Sequence, residues 1–289
     1  MVFQQIINGL TLGTTYSLLA LGYSMVFGVL SFINFAHGDI AMVGGYVAWY
    51  SFTVLHQGFL ISCVFAVAVS VVLGIAIEKV GYGPIRRAPR LAMVIASLGF
   101  SFILATAVQI VWGTEPQQMP SIGAVTSYTV FGGTFNSVQI WVLSLSVALM
   151  FLLQLLIQKT RIGMALRATA LDRDTAGLMG ININNVISFT FGLGSGLAAV
   201  SAIMMAVYYG ALYPSMGGVI GMKGFTAVVL GGAGSIPGAM AGGVLMGLIE
   251  SLAGTLLPSA VRDAIAFLVL IIVLLGKPSG LLGKEMVKE

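Results

Sequence analysis

The sequence predicts an all-α protein, a polytopic membrane helix bundle of about eight to nine transmembrane segments, some of them short or broken. Three observations predict this class. Hydrophobic residues make up 58% of the 289 residues and charged residues only 8%, whereas soluble domains carry about 25% charged residues. Apolar runs recur at the length of about 20 residues that a bilayer crossing needs. Many of the 38 glycines lie within these runs, and the glycines follow no Gly-X-Y period.

The apolar runs follow one another along the whole chain and leave no domain boundary. Six long spans are predicted at 6–30, 38–55, 59–78, 91–112, 139–158 and 184–208. A short crossing at Phe225–Gly231 and a glycine-rich break come next, and two further spans follow at 238–257 and 260–276. We therefore expect a single transmembrane domain over residues 1–289.

Basic residues indicate the orientation, because short loops rich in Lys and Arg stay cytoplasmic. Three segments hold 11 of the 13 basic residues. Their members are Lys79, Arg86, Arg87 and Arg90; Lys159, Arg161, Arg167 and Arg173; and Lys277, Lys284 and Lys288. We expect loops 79–90 and 159–183 and the C-terminus to be cytoplasmic, and Gly113–Gln139 and Tyr209–Met222 to be external. Nine crossings then place the N-terminus outside, but a re-entrant segment near Asn34 or Gly231 would reduce the count and change that side.

Several functional classes are excluded by the residues. The net charge of +4 comes from basic residues that separate apolar runs, which argues against nucleic-acid binding. A single Cys63 allows no disulfide within one chain. The chain has no P-loop, because Gly276-Lys277 is followed by Pro278, and it has no HExxH motif. We predict no catalytic residues, no metal site and no cofactor on this chain, so any ATP drive must come from a partner.

Two interruptions of the apolar pattern are candidate parts of a translocation pathway. In the first, Asn34, His37, Gly38 and Asp39 lie between two long apolar runs, where a carboxylate is unfavourable unless it faces protein or water. These side chains could cap the next helix or could line a pathway, and the sequence leaves both interpretations open. The second interruption has the candidate residues Gly231, Gly232, Gly234 and Pro237.

The second basic segment predicts a short cytoplasmic helix that ends at Gly180. Small alanines alternate there with charges of both signs, which suits docking into a groove of a partner protein. The alternative is a helix that lies on the membrane surface. The candidate coupling residues are Arg167, Ala170, Asp172, Ala176 and Gly180.

Four sequence motifs resemble those of a known transporter family. The motifs are Asn8–Tyr16, Ile33–Asp39, the pair Arg167–Asp172 and Gly180–Asn182, and Phe225–Ala239. Together they resemble the permease subunits of bacterial branched-chain amino-acid ABC importers, over residues 5–283. The short external segment resembles the smaller of the two permeases of such importers more than the larger one, which has an extended N-terminus. The third motif resembles the ATPase-docking segment of the family, and the fourth resembles its glycine-rich motif.

The resemblance implies an ABC importer permease fold in the bacterial inner membrane. It implies a homologous second permease, two ABC ATPase subunits that bind ATP and Mg, and a periplasmic or lipid-anchored binding protein that delivers Leu, Ile or Val. Surrounding membrane lipid is a further expected partner, and nucleic acid is not. Importers of urea, short amides or other small amino acids share much of the pattern. A self-sufficient channel or secondary transporter with paired helix breaks is the alternative from another class.

Overall fold

Most of the chain forms long helices, as the apolar runs predict. The computed structural model describes residues 2–86, 88–123, 126–130, 133–255 and 262–283. The first helices are α1 (Val2–Leu30), α2 (His37–Thr53), α3 (Phe59–Ala76), α4 (Gly83–Ile85), α5 (Arg90–Trp112) and α6 (Ser137–Lys159). The later ones are α7 (Arg161–Leu171), α8 (Arg173–Leu178), α9 (Ile183–Tyr209), α10 (Met216–Gly231), α11 (Ile236–Ala253) and α12 (Arg262–Gly276).

Length and composition confirm the polytopic helical class. Six helical stretches of the described chain are long and apolar enough to cross a membrane, and α10 and α12 are shorter apolar helices. The long stretches are Val2–Leu30, Phe59–Ile85, Arg90–Trp112, Ser137–Lys159, Ile183–Tyr209 and Ile236–Ala253. Each of the nine predicted apolar segments coincides with a helix, within a few residues for most of them.

Two predicted boundaries are wrong. The short crossing was expected to begin at Phe225, after the uncharged segment Tyr209–Met222, but α10 already begins at Met216 and is a helix of 16 residues. The basic loop expected at 79–90 is largely helical, because a π-helical segment, Ile77–Tyr82, continues α3 directly into α4. In both places glycines and single charges within a helix look like loop residues in the sequence.

The central helices of the bundle are α1 and α9, which are buried over most of their length, whereas α3, α5 and α6 expose many apolar side chains. Glycines bring α1 and α11 into close contact. A Cβ atom added to Gly13 would lie 2.8 Å from the Cα of Val244, and one added to Gly9 would lie 2.9 Å from the Cα of Leu248. Small residues at such an interface allow backbone packing that lipid does not otherwise drive.

The helices give the bundle two ends. At the first, called the α7–α8 end, α1 and α10 finish and α9 begins; Arg86 Nη1 there donates a hydrogen bond to Asn184 Oδ1 at 2.6 Å. The opposite end contains the start of α1 and the end of α9. The three basic segments come together at the α7–α8 end as far as they are described. Arg87, Lys284 and Lys288 lie outside the described residues.

Short strands add a small β component that the sequence analysis did not anticipate. The strand β1 (Gln117–Gln118) pairs antiparallel with β4 (Ala211–Leu212), with Gln117 opposite Leu212. The strands β2 (Ser127–Val130) and β3 (Gly133–Asn136) form an antiparallel hairpin. Both pairs lie at the opposite end, where they tie the loop before α6 to the rest of the bundle.

Candidate translocation and coupling sites

The first helix interruption lies inside the bundle. The chain leaves α1 at Leu30, and α2 begins at His37 beside Gly22 and Gly194, which lie well inside α1 and α9. Asn34, His37 and Asp39 are all at most 3% exposed. This segment is therefore non-helical backbone within the depth of the bundle, a feature tolerated only where protein or a water-filled cavity surrounds it.

Asn34 organises this interruption. Its Oδ1 accepts hydrogen bonds from the Tyr82 hydroxyl at 2.7 Å and from the Ala36 amide at 3.2 Å. The α2 N-cap residue is Ala36, and no side chain caps the helix there. The interpretation that the side chains of Asn34, His37 and Asp39 cap the helix through hydrogen bonds is therefore wrong, because Asn34 bonds within the turn that precedes the helix. The expected position of Asp39 near the N-terminal end of α2 is confirmed.

Two buried polar atoms of the first interruption have no hydrogen-bond partner in the described part of the chain. They are Asn34 Nδ2 and His37 Nε2. His37 Nε2 faces the backbone of Gly22, and its ring lies 4.5 Å from that of Tyr23. Tyr46 Oη, Ser70 Oγ and Arg86 Nε are also buried without a partner among the described residues, so it is the combination with irregular backbone that makes this interruption a candidate functional element.

Asp39 lies in the first turn of α2, where the helix dipole favours a negative charge. Its Oδ2 accepts a hydrogen bond from the Ser101 hydroxyl of α5 at 2.5 Å. Gly217 of α10 packs directly against Asp39, and Gly38 packs against Gly217 and Gly221. The close contact of α2 with α10 therefore requires glycine on both helices.

The second helix interruption lies at the α7–α8 end, between α10 and α11. Helix α11 starts with Ser235 as N-cap, whose side chain accepts from the Gly238 amide, and Pro237 lies in its first turn. Gly232 and Gly234 have φ values of +108° and +83°, in the region that favours glycine. The predicted break is therefore present, and unlike the first one it is partly exposed.

The segment after α12 closes the second interruption. The amides of Leu281 and Leu282 donate hydrogen bonds of 2.9 Å to the carbonyls of Leu230 and Gly231. These carbonyls end α10 and would otherwise be left without an intrahelical donor. Gly280 and Gly283 contact Gly232 so closely that a Cβ atom on Gly232 would overlap the Gly283 backbone. The glycine-rich motif is thus a docking place for the C-terminal segment.

The coupling segment forms two helices rather than the single predicted one. Asp172 separates α7 from α8 and is the N-cap of α8, with Oδ1 accepting from the amides of Asp174 and Thr175 at 2.9 and 3.1 Å. Hydrogen bonds from the Thr175 hydroxyl and amide hold the pKa of Asp172 below its usual value. Gly180, with φ +85°, ends α8 as the sequence predicts.

The candidate coupling residues differ in accessibility. Ala170, Asp172 and Gly180 are exposed, whereas Ala176 is only 4% exposed and packs inside the protein. Arg167 bonds through its guanidinium to the carbonyl of Ile157, at the end of α6. The strongly exposed apolar side chains of this segment were not among the candidates; they are Met164, Leu171, Leu178 and Met179.

An ionic cluster at the opposite end was missed by the sequence analysis. Lys223 of α10 contacts Glu250 Oε1 at 2.7 Å and Asp263 Oδ1 at 2.8 Å, and the Tyr16 hydroxyl donates to Glu250 Oε2 at 2.9 Å. Lys223 and Glu250 are 6% and 4% exposed. The sequence does contain a signal for this cluster, since opposite charges occur in successive apolar runs and a buried charge needs a partner of opposite sign.

Comparison of the sequence with protein families identifies the family to which this chain belongs. A model of the branched-chain amino acid transport system permease component matches residues 5–274. The chain belongs to this family. A high-affinity branched-chain amino acid transport system permease protein of Pseudomonas aeruginosa, BraD, is 40% identical, with 99% of this chain and 97% of that protein covered. The corresponding LivH protein of Escherichia coli K12 is 38% identical, with the same coverage of both chains.

Among solved structures, the family fold has a distant counterpart. A chain of PsaBC from Streptococcus pneumoniae, solved in complex with Fab, superposes with a TM-score of 0.53 over 94% of this chain and 91% of that one. The sequences are 13% identical, so the likeness concerns the fold alone. This chain is therefore a LivH-type multi-pass membrane permease.

Proposed function

We propose that this chain is the permease subunit through which an ABC importer moves leucine, isoleucine and valine across the bacterial inner membrane. One observation carries the proposal: the match to the branched-chain permease family spans residues 5–274, and relatives named for this transport are 40% and 38% identical over 97% of their length. In this assignment the importer also contains a homologous second permease, two ABC ATPases and a periplasmic or lipid-anchored binding protein.

The energy for transport comes from the partner ATPases, which bind ATP and Mg. This chain has no P-loop and acts as a transport subunit rather than an enzyme. The segment 159–183 of a single membrane domain, residues 1–289, is the docking element. Its exposed apolar residues Leu171, Leu178 and Met179 suit burial in a groove of the ATPase.

The two helix interruptions have different roles in this proposal. Asn34, His37, Gly38 and Asp39 belong to the translocation pathway, because they combine irregular backbone, burial and polar atoms that have no partner in the described part of the bundle. Gly231, Gly232, Gly234 and Pro237 form the boundary of the pathway near the coupling segment. Docking of the ATPases moves the helices that carry these residues and so changes the side from which the pathway opens.

The proposed orientation places the α7–α8 end in the cytoplasm. Loops 79–90 and 159–183 and the C-terminus then face the ATPases, and the N-terminus lies outside. Clustering of described basic residues at one end of the bundle supports this orientation through the positive-inside rule.

The decisive experiment is affinity purification of the tagged chain in mild detergent, followed by mass spectrometry, ATPase assays and leucine uptake into proteoliposomes. We expect a second permease and ATPase subunits to co-purify, and a leucine-loaded binding protein to stimulate ATP hydrolysis and uptake. Uptake by the chain alone, without ATP or ATPase partners, would instead establish a self-sufficient transporter.

Two substitutions test the coupling assignment. Asp172→Ala removes the α8 N-cap, and Gly180→Val places a β-branched residue at φ +85°. We expect both variants to insert into the membrane but to lose at least about tenfold in ATP-driven uptake, a barrier change of about 1.4 kcal/mol. Gly58→Ala is the matched control, because Gly58 lies in open space with φ −58°. Wild-type uptake in both coupling variants would contradict the assignment.

A further inference from the structure

A cavity of about 430 Å³ lies at the end of the bundle opposite the coupling segment. It is formed by the start of α1, the end of α9, the first turns of α10 and the facing ends of α11 and α12. Ligand sites for small molecules have volumes of about 300–1,000 Å³ and combine apolar walls with a few placed polar groups. The charged lining side chains are Lys223, Glu250 and Asp263, and three tyrosines, Tyr208, Tyr209 and Tyr213, also line the cavity.

The cavity contains three charged side chains, one more than a structural ion pair requires. Lys223 and Glu250 form a neutral pair, and the Tyr16 hydroxyl donates a hydrogen bond to the other oxygen of the Glu250 carboxylate. Asp263 adds a second negative charge, so the three charged side chains carry a formal net charge of −1. Lys223 contacts Oδ1 of Asp263, and 59% of the Asp263 side chain remains exposed. An accessible carboxylate beside a buried Lys can receive a cationic group.

Apolar side chains form the other wall of the cavity. The lining residues Leu12, Met205, Met216 and Ile220 are buried, and Val219 is partly buried. Methionine and branched side chains adapt to small aliphatic groups. The cavity therefore offers an acid for an ammonium group, a Lys and phenol hydroxyls for a carboxylate, and an apolar surface for a side chain.

We propose that this cavity is a receiving site for an apolar α-amino acid in its zwitterionic form, before the amino acid enters the bundle. Asp263 accepts hydrogen bonds from the ammonium group, Lys223 and Tyr213 donate to the carboxylate, and the apolar wall contacts the aliphatic side chain. The inference deepens the proposed function and rests on its orientation, in which this end faces outside. Binding here is weak, because conduction requires release.

The test uses a photoreactive leucine analogue that carries a diazirine in its side chain and keeps both charged groups. The analogue is crosslinked to the purified complex in detergent, without binding protein or ATP, and the labelled peptides are mapped by mass spectrometry. We expect labels in residues 205–223, next to the apolar wall. Excess leucine should compete about tenfold better than 4-methylpentanoate, which lacks the ammonium group, because a charge-assisted hydrogen bond is lost.

Asp263→Asn should lower labelling about tenfold and remove the preference for leucine over 4-methylpentanoate. Loss of that preference is a readout that a merely structural role of Asp263 would not give. Glu115→Gln is the matched control, since Glu115 is an exposed acid at the same end and outside the cavity. Val219→Phe, which fills the cavity, gives a second test if Asp263→Asn does not fold. Unchanged labelling in the folded variants, or labels only elsewhere in the chain, would overturn the inference.

The outcome separates this inference from the proposed function. ATP-driven leucine uptake by the wild-type complex together with labelling insensitive to Asp263→Asn would refute the site and leave the function standing. Labelling of 205–223 that depends on Asp263, together with leucine uptake by the chain without ATP or ATPase partners, would support the site and refute the proposed assembly.

Discussion

The two helix interruptions differ in how their polar groups are satisfied. At 232–235, between α10 and α11, the exposed helix end is completed by Leu281 and Leu282, whose amides reach the last carbonyls of α10. At the first interruption, between α1 and the start of α2, Asn34 Nδ2 and His37 Nε2 are buried without a hydrogen-bond partner among the described residues. An interruption with satisfied groups is explained by packing alone, whereas an interruption with unpaired buried groups is a candidate for a moving or ligand-contacting element.

The largest expected effect concerns the packed interruption. Gly232→Ala should lower the free energy of unfolding by about 3 kcal/mol, because the added Cβ overlaps Gly283 at a φ of +108°. Gly234→Ala is the matched comparison: its φ is +83°, but the nearest atoms lie 3.8 Å from the added Cβ, so about 1 kcal/mol is expected. Thermal unfolding of both variants in detergent measures the difference, and equal midpoints would contradict the docking of the C-terminal segment.

An intermediate effect is expected at the unsatisfied interruption. Asn34→Ala leaves the Tyr82 hydroxyl and the Ala36 amide without their acceptor, which should cost about 2 kcal/mol of stability. Tyr82→Phe removes one of these bonds and leaves the other, so about 1 kcal/mol is expected. If the segment belongs to the pathway, Asn34→Ala should also reduce leucine uptake per inserted molecule. Normal uptake with the predicted loss of stability would make this interruption purely structural.

The smallest effect concerns the coupling segment and depends on pH. The pKa of Asp172 is lowered in the folded chain by hydrogen bonds from Thr175, so its contribution to α8 is present above the unfolded pKa of about 3.9 and is lost as pH falls through the folded value. The protection factors of the amides of residues 173–178, which are corrected for the intrinsic pH dependence of exchange, should be constant from about pH 8 to 5 and should fall only in stronger acid. Asp172→Asn, also a good N-cap, should remove this acid dependence.

The sequence predicts most of the fold because the bilayer sets a simple requirement on length and hydropathy. The span predicted at 91–112 is the helix Arg90–Trp112, and the one at 184–208 is Ile183–Tyr209. The start of α10 was harder to predict from the sequence, since glycines in its first turns are typical of a loop. Lys223 was missed because its partner Glu250 lies 27 residues away, and pairing at that distance follows from the packing of α10 on α11.

The positions of both interruptions can be predicted from the sequence, but the sequence does not show which of them is closed by packing and which contains buried groups that are unpaired among the described residues. Polar or glycine-rich residues at Asn34–Asp39 and Gly231–Pro237 disturb the apolar pattern in similar ways. What distinguishes them is a contact with the segment after α12, about 50 residues further along the chain. Long-range contacts of this kind leave no local pattern in a single sequence.

The π-helical segment Ile77–Tyr82 also sets the rotational phase of the helix that contains it. Buried residues follow one another at every fourth position, namely Ser62, Ala66, Ser70, Gly74, Glu78 and Tyr82. In an α-helix each such step overshoots a full turn by about 40°, and the wider π turn rotates the chain back. Deleting one residue from this segment would turn Tyr82 away from Asn34 by about 100°.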